Sequence, residues 1–396
     1  MGRITVRDLC ETWLGPAGRE VLIADRDFER ARAAVADFRA QCPRQVTRRN
    51  LTAVRVDIRD GASALKAVGS AAVVINCLQY QLNLEAMSFA LELGAHYVDL
   101  GGLFHMTRRQ LALHTRFKAA GLTAVIGMGA APGVTNLLAA KGAESFDRLT
   151  EIHARVASWD GSRYEPKPAL AVAYSLQTIL EEFSFEPAIF TRGDWRFVEP
   201  MSGDTPHRFP APIGVRRPMY TLHSEVATLP VSFASKGVRE CSFKIAFDPE
   251  FTDRVRFLRD LGLASHEPID LPSGGKAIPV EVVNRVALSQ PVSRRVGPLR
   301  QKEVVRVILK GWVGQKKRTS VLDLTTSGLP QWDLGLDVDT GCPPSVVAQM
   351  LIHGVIREAG VLPPELAVDW RPFFKALQQR KMRVTVTQKT GWSFPT

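Results

Sequence analysis

The residues that directly follow five short apolar segments in the first third of the sequence are mostly small or polar. They are Asp25, Arg26, Asp57, Ile58, Asn76, Cys77, Leu78, Asp99 and Gly129. Carboxylates and amides at the end of a buried strand can hydrogen-bond a small molecule, and glycines let the backbone approach it closely. The pattern therefore predicts one ligand-binding edge, formed where several strands end.

The elements that position these residues alternate between strand and helix. The predicted helices cover 3–13, 27–41, 61–68, 84–93 and 107–120. The predicted strands cover 21–25, 53–57, 71–76, 96–100 and 123–127. Alternation with such short connections predicts an α/β fold, a Rossmann-like doubly wound parallel sheet whose ligands bind at the carboxyl ends of the strands.

A dinucleotide is the ligand that this edge favours. Asp25 ends a strand and lies 23 positions after Gly2, near the roughly 20-residue spacing between a glycine fingerprint and the acid that binds the ribose hydroxyls. A carboxylate repels a 2′-phosphate, so Asp25 favours NAD, whereas Arg26 could pair with that phosphate in NADP. The expected cofactor is NAD or NADP, with NAD slightly favoured.

The glycine fingerprint itself is incomplete. Gly2 occupies the place of its last glycine, and a helix pattern follows at once. We therefore expect the first strand, with the rest of the loop that binds the pyrophosphate, about 10 to 15 residues ahead of Met1. The alternative is a different α/β fold that properly begins with a helix.

Composition argues against several classes of protein. The net charge is +11, but arginine and lysine are scattered and form no stripe with aromatic residues, which argues against nucleic-acid binding. No apolar run is long enough to span a membrane. The five cysteines are widely spaced, so we expect a cytoplasmic protein with free thiols and no metal site.

The rest of the sequence divides into two further parts. Residues 135–335 mix alternating strand patterns with helices, which predicts an α+β domain for substrate binding and dimerisation. Residues 336–396 form a mainly helical C-terminal segment. The dinucleotide-binding domain then covers 1–134.

Four stretches carry a resemblance to a known family. They are Val74–Cys77, Gly94–Leu100, Gly127–Asn136, and a C-terminal series that runs through Thr340–Pro344, Gly360–Glu365 and Phe373–Leu377. Together and in this order they resemble the saccharopine dehydrogenase family.

The resemblance implies a nicotinamide-dependent oxidoreductase of amino-acid metabolism, including lysine metabolism. Its chemistry would be hydride transfer to or from the C–N bond of an amino-acid adduct, in a homodimer. The C-terminal segment would return to pack on the nucleotide domain. Small residues at Gly129, Ala131, Pro132 and Gly133 would lie close to the cofactor or substrate. The alternative is a non-catalytic binding or scaffold protein that has lost its phosphate loop.

Three residues are candidates for catalysis. Tyr80, which resembles a tyrosine of the family, could orient substrate or carry a proton, or be a partly buried aromatic residue. Asp99 could contact substrate amine or ribose, or cap the turn that follows it. His223, beside Glu225, could carry a proton near neutral pH, or be structural. Glu182 lies on a helix that resembles a family helix near the cleft, but a solvated helix face is favoured for it.

Overall fold

A computed structural model describes residues 1–13, 20–42, 50–170, 172 and 174–390. The chain forms two compact units. The first unit comprises Met1–Leu137 and Val338–Gln379, and the second comprises Leu138–Asp337 and Arg380–Thr396. The chain therefore leaves the first unit once, returns to it, and ends in the second.

Parallel strands form the centre of the first unit. Its strands are β1 (Glu20–Asp25), β2 (Asn50–Arg55), β3 (Val73–Asn76), β4 (His96–Asp99), β5 (Thr123–Val125) and β19 (Gly360–Leu362). β1 and β2 form one parallel sheet, and a second parallel sheet has the order β19-β5-β4-β3. These sheets, with their helices, confirm the predicted α/β class.

The helices of the first unit follow the predicted pattern closely. They are α1 (Gly2–Thr12), α2 (Phe28–Gln41), α3 (Gly61–Val68), α4 (Asn83–Leu93), α5 (Leu103–Leu111), α6 (His114–Ala119), α12 (Val338–Ile352), α13 (Pro364–Ala367) and α14 (Trp370–Gln379), while α7 (Val134–Ala143) runs from this unit into the second. Asp27 starts α2 because its side chain accepts hydrogen bonds from the backbone N–H groups of Glu29 and Arg30. One predicted helix, 107–120, is divided into α5 and α6.

The returning segment packs on the first helix. A Cβ atom placed on Gly341 of α12 would lie 2.6 Å from side-chain atoms of Ile4, so only glycine permits this close approach to α1. Thr5 Oγ1 donates to Gly341 O at 2.8 Å, and Ser345 Oγ donates to the buried Asp8 carboxylate at 2.6 Å. Apolar packing and buried hydrogen bonds thus join residues more than 330 positions apart.

An eight-stranded sheet forms the second unit. It contains β6 (Arg148–Asp160), β8 (Ala188–Thr191), β9 (Asp194–Phe197), β12 (Met219–Tyr220), β13 (Glu240–Ala246), β17 (Gln301–Val313), β18 (Lys316–Thr326) and β20 (Arg383–Thr390). The order is β20-β18-β17-β6-β13-β8-β9, with β12 also paired to β13. Because β20 belongs to this sheet, Arg383–Thr390 is part of the second unit.

Helices and short hairpins complete the second unit. Its helices are α8 (Leu176–Ser184), α9 (Glu225–Ser232), α10 (Pro249–Asp260) and α11 (Pro279–Leu288). The remaining two- and three-residue strands are β7 (Arg163–Glu165), β10 (His207–Arg208), β11 (Val215–Arg216), β14 (Ile269–Asp270), β15 (Lys276–Ala277) and β16 (Arg294–Val296). A core of apolar side chains from α8, α10 and α11 includes Phe183, Val255 and Val280. No helix in the described segments combines the length and apolarity needed to cross a bilayer.

Candidate active site

The end of β3 is organised by Asn76. Its Nδ2 donates to Asn83 Oδ1 and to the Tyr97 hydroxyl, both at 2.9 Å, and its Oδ1 accepts from the backbone N–H of Leu78 at 3.0 Å. All polar atoms of this buried amide are therefore engaged, which fixes the backbone at the strand end. Leu78 is 48% exposed there, an apolar side chain available to a ligand.

Asp99 joins the ends of β4 and β5. Its carboxylate is 1% exposed and accepts from Gly101 N (2.9 Å), Gly127 N (2.6 Å), the Tyr97 hydroxyl (3.0 Å) and Gln110 Nε2 (2.5 Å). Burial raises the pKa of Asp99, while these hydrogen bonds act to lower it. The hydrogen bond from Gly101 N caps the turn after β4, which is the second role that the sequence suggested for Asp99.

Three more predicted residues, Gly2, Cys77 and Tyr80, lie next to or shortly after the end of β3. A Cβ atom on Gly2 would lie 3.3 Å from Cys77 Cβ, so the start of α1 packs directly against the residue after β3. Burial raises the pKa of the Cys77 thiol. Tyr80 is partly buried and opens a short 3₁₀ turn, Tyr80–Leu82.

The residues after β1 are more open. Asp25 is partly exposed, and its Oδ1 accepts from Asp27 N at 2.9 Å, while Oδ2 accepts no hydrogen bond from a residue in the described part of the chain. The exposed Arg26 makes no hydrogen bond or ion pair with another residue in the described part of the chain. The neighbouring Asp25 carboxylate and Arg26 guanidinium are suited to bind either the ribose hydroxyls of NAD or the ribose phosphate of NADP.

The predicted strand 53–57 ends earlier than expected. β2 stops at Arg55, because Asp57 turns the chain and its exposed carboxylate accepts from Arg59 N at 3.0 Å. Ile58 then lines a cleft of about 360 Å³ together with Gly61, Leu84 and Phe89. Asp57 is thus a turn residue, while Ile58 offers an apolar wall.

The glycine-rich turn after β5 is tightly packed against itself. Gly129 N donates to Pro132 O at 2.7 Å, and a Cβ atom on Gly133, whose φ is 118°, would lie 2.4 Å from Gly129 O. Asn136 holds the turn, since its Oδ1 accepts from Gly133 N and its Nδ2 donates to Glu365 Oε2 at 2.8 Å. Ala131 remains partly exposed at this turn.

His223 lies in the second unit, in a buried ionisable pair. Its Nδ1 hydrogen-bonds to the Glu225 carboxylate, and its ring stacks on Phe243 with centroids 3.7 Å apart. The two side chains are 8% and 1% exposed. Burial acts to lower the pKa of His223, but the attraction and hydrogen bond of Glu225 prevail and raise it.

Glu182 belongs to the same electrostatic group. It is 3% exposed, so the solvated helix face favoured for it is wrong. Burial raises its pKa to about 7, against the lowering effects of His223 and of the Tyr174 hydroxyl, which donates to Oε2 at 2.7 Å. A carboxyl group that titrates near neutral pH can give or take a proton under physiological conditions.

The predicted residues thus fall into two groups. Tyr80, Asp99 and the predicted cofactor residues belong to the first unit, and His223 belongs to the second. The structure joins Asn76 to Asp99 through the Tyr97 hydroxyl, which contacts both. In the segments that the structure describes, no group of three or more His, Cys, Asp or Glu side chains could hold a metal ion.

Comparison with known proteins connects this geometry to a family. Residues 1–125 match the saccharopine dehydrogenase NADP binding domain, and residues 129–382 match the saccharopine dehydrogenase C-terminal domain. The fold is similar to that of apo saccharopine dehydrogenase (L-Glu forming) from Saccharomyces cerevisiae, with a TM-score of 0.69, 15% identity, and coverage of 99% of this chain and 98% of that one.

Curated relatives agree with these matches. Carboxyaminopropylagmatine dehydrogenase of Synechocystis is 25% identical, over 81% of this chain and 80% of its own. Carboxynorspermidine synthase of Vibrio cholerae is 23% identical, over 70% and 68%. The matches to both family domains do not favour a non-catalytic scaffold. The chain belongs to the saccharopine dehydrogenase family of NAD(P)-dependent oxidoreductases.

Proposed function

We propose that this enzyme transfers a hydride between a nicotinamide cofactor and the carbon of a C–N bond in a carboxyl-bearing secondary amine. The substrate class is an amino-acid or polyamine adduct. Support comes from the names of its relatives, which act on or make carboxyaminopropylagmatine, carboxynorspermidine and saccharopine.

The first unit carries the residues that would hold the cofactor. Asp25 would accept from the ribose hydroxyls, Ile58 and Leu78 would offer apolar surface, and the turn from Gly129 to Gly133 would let the backbone approach the cofactor. The bound nicotinamide supplies or accepts the hydride. The acid at Asp25 supports NAD as the preferred cofactor.

Asp99 and Tyr80 have separate roles in this proposal. The Asp99 carboxylate already accepts four hydrogen bonds from protein groups, so it acts as a positioning residue that holds the strand ends in place. Tyr80, the partly buried first residue of the 3₁₀ turn, orients the substrate.

One observation carries the proton step. His223 is paired with Glu225, and both act electrostatically on the carboxyl group of Glu182, whose pKa is about 7. In the amine-forming direction, the imine nitrogen takes up one proton and the carbon accepts the hydride, while the C=N π electrons become the nitrogen lone pair. Glu182, with its pKa near 7, gives up that proton, and the imidazolium of His223, whose charge the Glu225 carboxylate stabilises, then reprotonates Glu182.

The direct test is oxidation of the three named adducts. Purified protein is mixed with saccharopine, carboxynorspermidine or carboxyaminopropylagmatine and with NAD or NADP, and reduced nicotinamide is followed by absorbance. We expect turnover of at least one adduct, with NAD preferred. The proposal is overturned if no adduct is oxidised and fluorescence titration detects no binding of NADH or NADPH.

We also propose a homodimer formed through the second unit. Val282 and Val286, one turn apart on α11, are 47% and 53% exposed, and Leu288 is 74% exposed. Exposed apolar side chains in such a group favour association. Light scattering should give a dimeric mass that Val286→Lys reduces, while Val355→Lys, at an exposed site in the first unit, leaves it unchanged. A monomeric wild-type protein would contradict this.

The location that we propose is the cytoplasm. All five cysteines are free thiols, which suits a reducing compartment. Five reactive thiols per denatured chain, without added reductant, is the expected result for protein isolated from the cell interior.

A further inference from the structure

One cross-strand row in the second unit concentrates positive charge. The strand register places Asp323, Arg306, Arg155, Lys244 and Tyr220 directly opposite one another on five adjacent strands. Directly opposite residues share one face of a sheet, and their Cβ atoms are about 5 Å apart. The row therefore brings three cations and a phenol to one face, with a single carboxylate at one end.

Both oxygens of the Asp323 carboxylate are hydrogen-bonded to Arg306, its neighbour in the row. Asp323 accepts from Arg306 Nε and from its terminal nitrogen, both at 2.7 Å, which is a two-point ion pair. The charge of Arg306 is thereby compensated by Asp323, and the compensation of Arg155 and Lys244 depends on their own contacts.

Arg155 and Lys244 contact only neutral acceptors in the described part of the chain. Arg155 donates through one terminal nitrogen to Ala154 O (2.6 Å) and Ser242 Oγ (3.2 Å). Lys244 Nζ donates to Gly203 O and lies 4.1 Å from the centre of the Tyr220 ring. The acid Asp204 acts on Lys244 only at longer range and is itself paired with Arg217 at 2.9 Å.

Burial makes these two charges costly. Lys244 is 5% exposed, and burial followed by repulsion from Arg155 lowers its pKa to about 8. Burial also lowers the pKa of Arg155 to about 10. Two adjacent cations withdrawn from water are unfavourable unless an anion compensates them.

The segment after Gly203 covers part of the row. His207 Nε2 lies 2.9 Å from a terminal nitrogen of Arg306, and the Phe209 ring lies 5.1 Å from the Arg306 guanidinium carbon. Burial and the neighbouring cations lower the pKa of His207 to about 4, so it is a neutral acceptor that adds no charge. The row is therefore a partly enclosed cationic site.

We propose that Arg155, Lys244 and the Tyr220 hydroxyl bind a small oxyanion, a carboxylate or a phosphate. Arg155 Nε and its second terminal nitrogen, the remaining N–H groups of Lys244 and the Tyr220 hydroxyl make no hydrogen bond to a described residue, so they are available as donors. The site is separate from the proposed proton group, because Phe243, adjacent to Lys244 in β13, points to the other face and stacks on His223.

The test uses inorganic phosphate as the probe, with the full-length protein at fixed ionic strength in chloride. We expect the ³¹P line width and the melting temperature to change with phosphate concentration and to saturate. Lys244→Met and Arg155→Met should weaken the apparent affinity by about tenfold or more, and Tyr220→Phe by less. Lys310→Met is the matched control, since that lysine lies on the same face but is paired with Glu151 at 2.8 Å.

A parallel titration with succinate separates the two sources of oxyanion. A stronger response to succinate assigns the site to carboxylates, and a stronger response to phosphate assigns it to phosphate. Lys244→Met should melt no lower than wild type in chloride alone, because it removes an uncompensated buried charge. The proposal is overturned if wild type responds to neither anion, if Lys244→Met and Arg155→Met both bind as wild type does, or if Lys310→Met loses binding equally.

Discussion

The imidazole of His223 is hydrogen-bonded through Nδ1 to Glu225, and the two side chains are almost completely removed from solvent. The carboxylate fixes the ring orientation and stabilises its charged form. Nε2 is the remaining ring atom that can exchange a proton with another group.

His223→Gln should lower kcat about 100-fold or more, because glutamine cannot exchange a proton at neutral pH. NADH binding, measured by fluorescence titration, should stay within about twofold and so verify folding. The matched control is His266→Gln, since His266 also contacts a glutamate of α8, Glu181 at 2.9 Å, but is 43% exposed. Equal kcat values for both variants would contradict a proton-transfer role for His223.

The stability of the protein should fall as pH rises through neutrality. Glu182 has a folded pKa of about 7 against an ordinary value of 4.5, so the folded state retains its proton after the unfolded state has lost it. The free energy of unfolding therefore decreases from about pH 5 to about pH 8, by up to about 3 kcal/mol from this group. The raised pKa of His223 acts in the same direction.

Glu182→Gln isolates the contribution of that carboxyl group. Urea unfolding at the two pH values should show a smaller decrease for the variant, because glutamine stays neutral throughout. If the variant and wild type lose the same amount of stability, Glu182 does not titrate in this range.

Asp99→Asn should destabilise the first unit by about 2 to 4 kcal/mol. The amide keeps one acceptor oxygen but directs N–H groups toward buried donors, such as Gly127 N or Gly101 N. Chemical denaturation measures the loss. The control, Asp57→Asn, changes an exposed turn residue and should stay within about 0.5 kcal/mol of wild type. Similar losses for the two variants would contradict the role of Asp99 as the centre of this network.

Cofactor preference should depend on the residues after β1. Asp25→Ala should weaken NADH binding about tenfold, because it removes a charged acceptor for ribose hydroxyls. Arg26→Ala should leave NADH binding within about twofold. Fluorescence titration with NADH and NADPH measures both. The reverse result, in which only Arg26→Ala matters and only for NADPH, would assign the enzyme to NADP.

Gly133→Ala should lower stability by about 2 kcal/mol or more, since its Cβ atom would meet Gly129 O and its φ disfavours L-residues. Gly61→Ala is the control because no atom lies within 4 Å of its Cβ position. Thermal unfolding compares the two. A Gly133→Ala protein as stable as wild type would show that the turn can relax.

The sequence predicted the alternating elements well because their signals are local. Apolar periodicity and the cap at Asp27 identify α2, and the glycine after α4 marks its end. β19 was not predicted, because three apolar residues become a strand only by pairing with β5, more than 230 positions away. The local sequence pattern carries no information about the pairing of β19 with β5.

The site could be predicted only in part, for a related reason. The spacing of His223 and Glu225 is visible in the sequence, so the pair could be named. The burial of Glu182 depends on what packs over the polar face of α8, and a helix pattern alone favours exposure. The cationic row was missed because the register of Arg155 with Arg306 and Lys244 joins segments about 90 to 150 positions apart.

The return of the chain through α12 and β19 has a consequence for biosynthesis. The ribosome makes α1 and β5 before their partners Gly341 and Val361, which come more than 230 residues later. During that interval the first unit lacks one edge strand and the helix that packs on α1, so its apolar surface stays incomplete. Most of the second unit is synthesised before the first can close. The nascent enzyme therefore carries an unfinished nucleotide-binding unit while the more than 230 intervening residues are made, which is the period when chaperones would matter most.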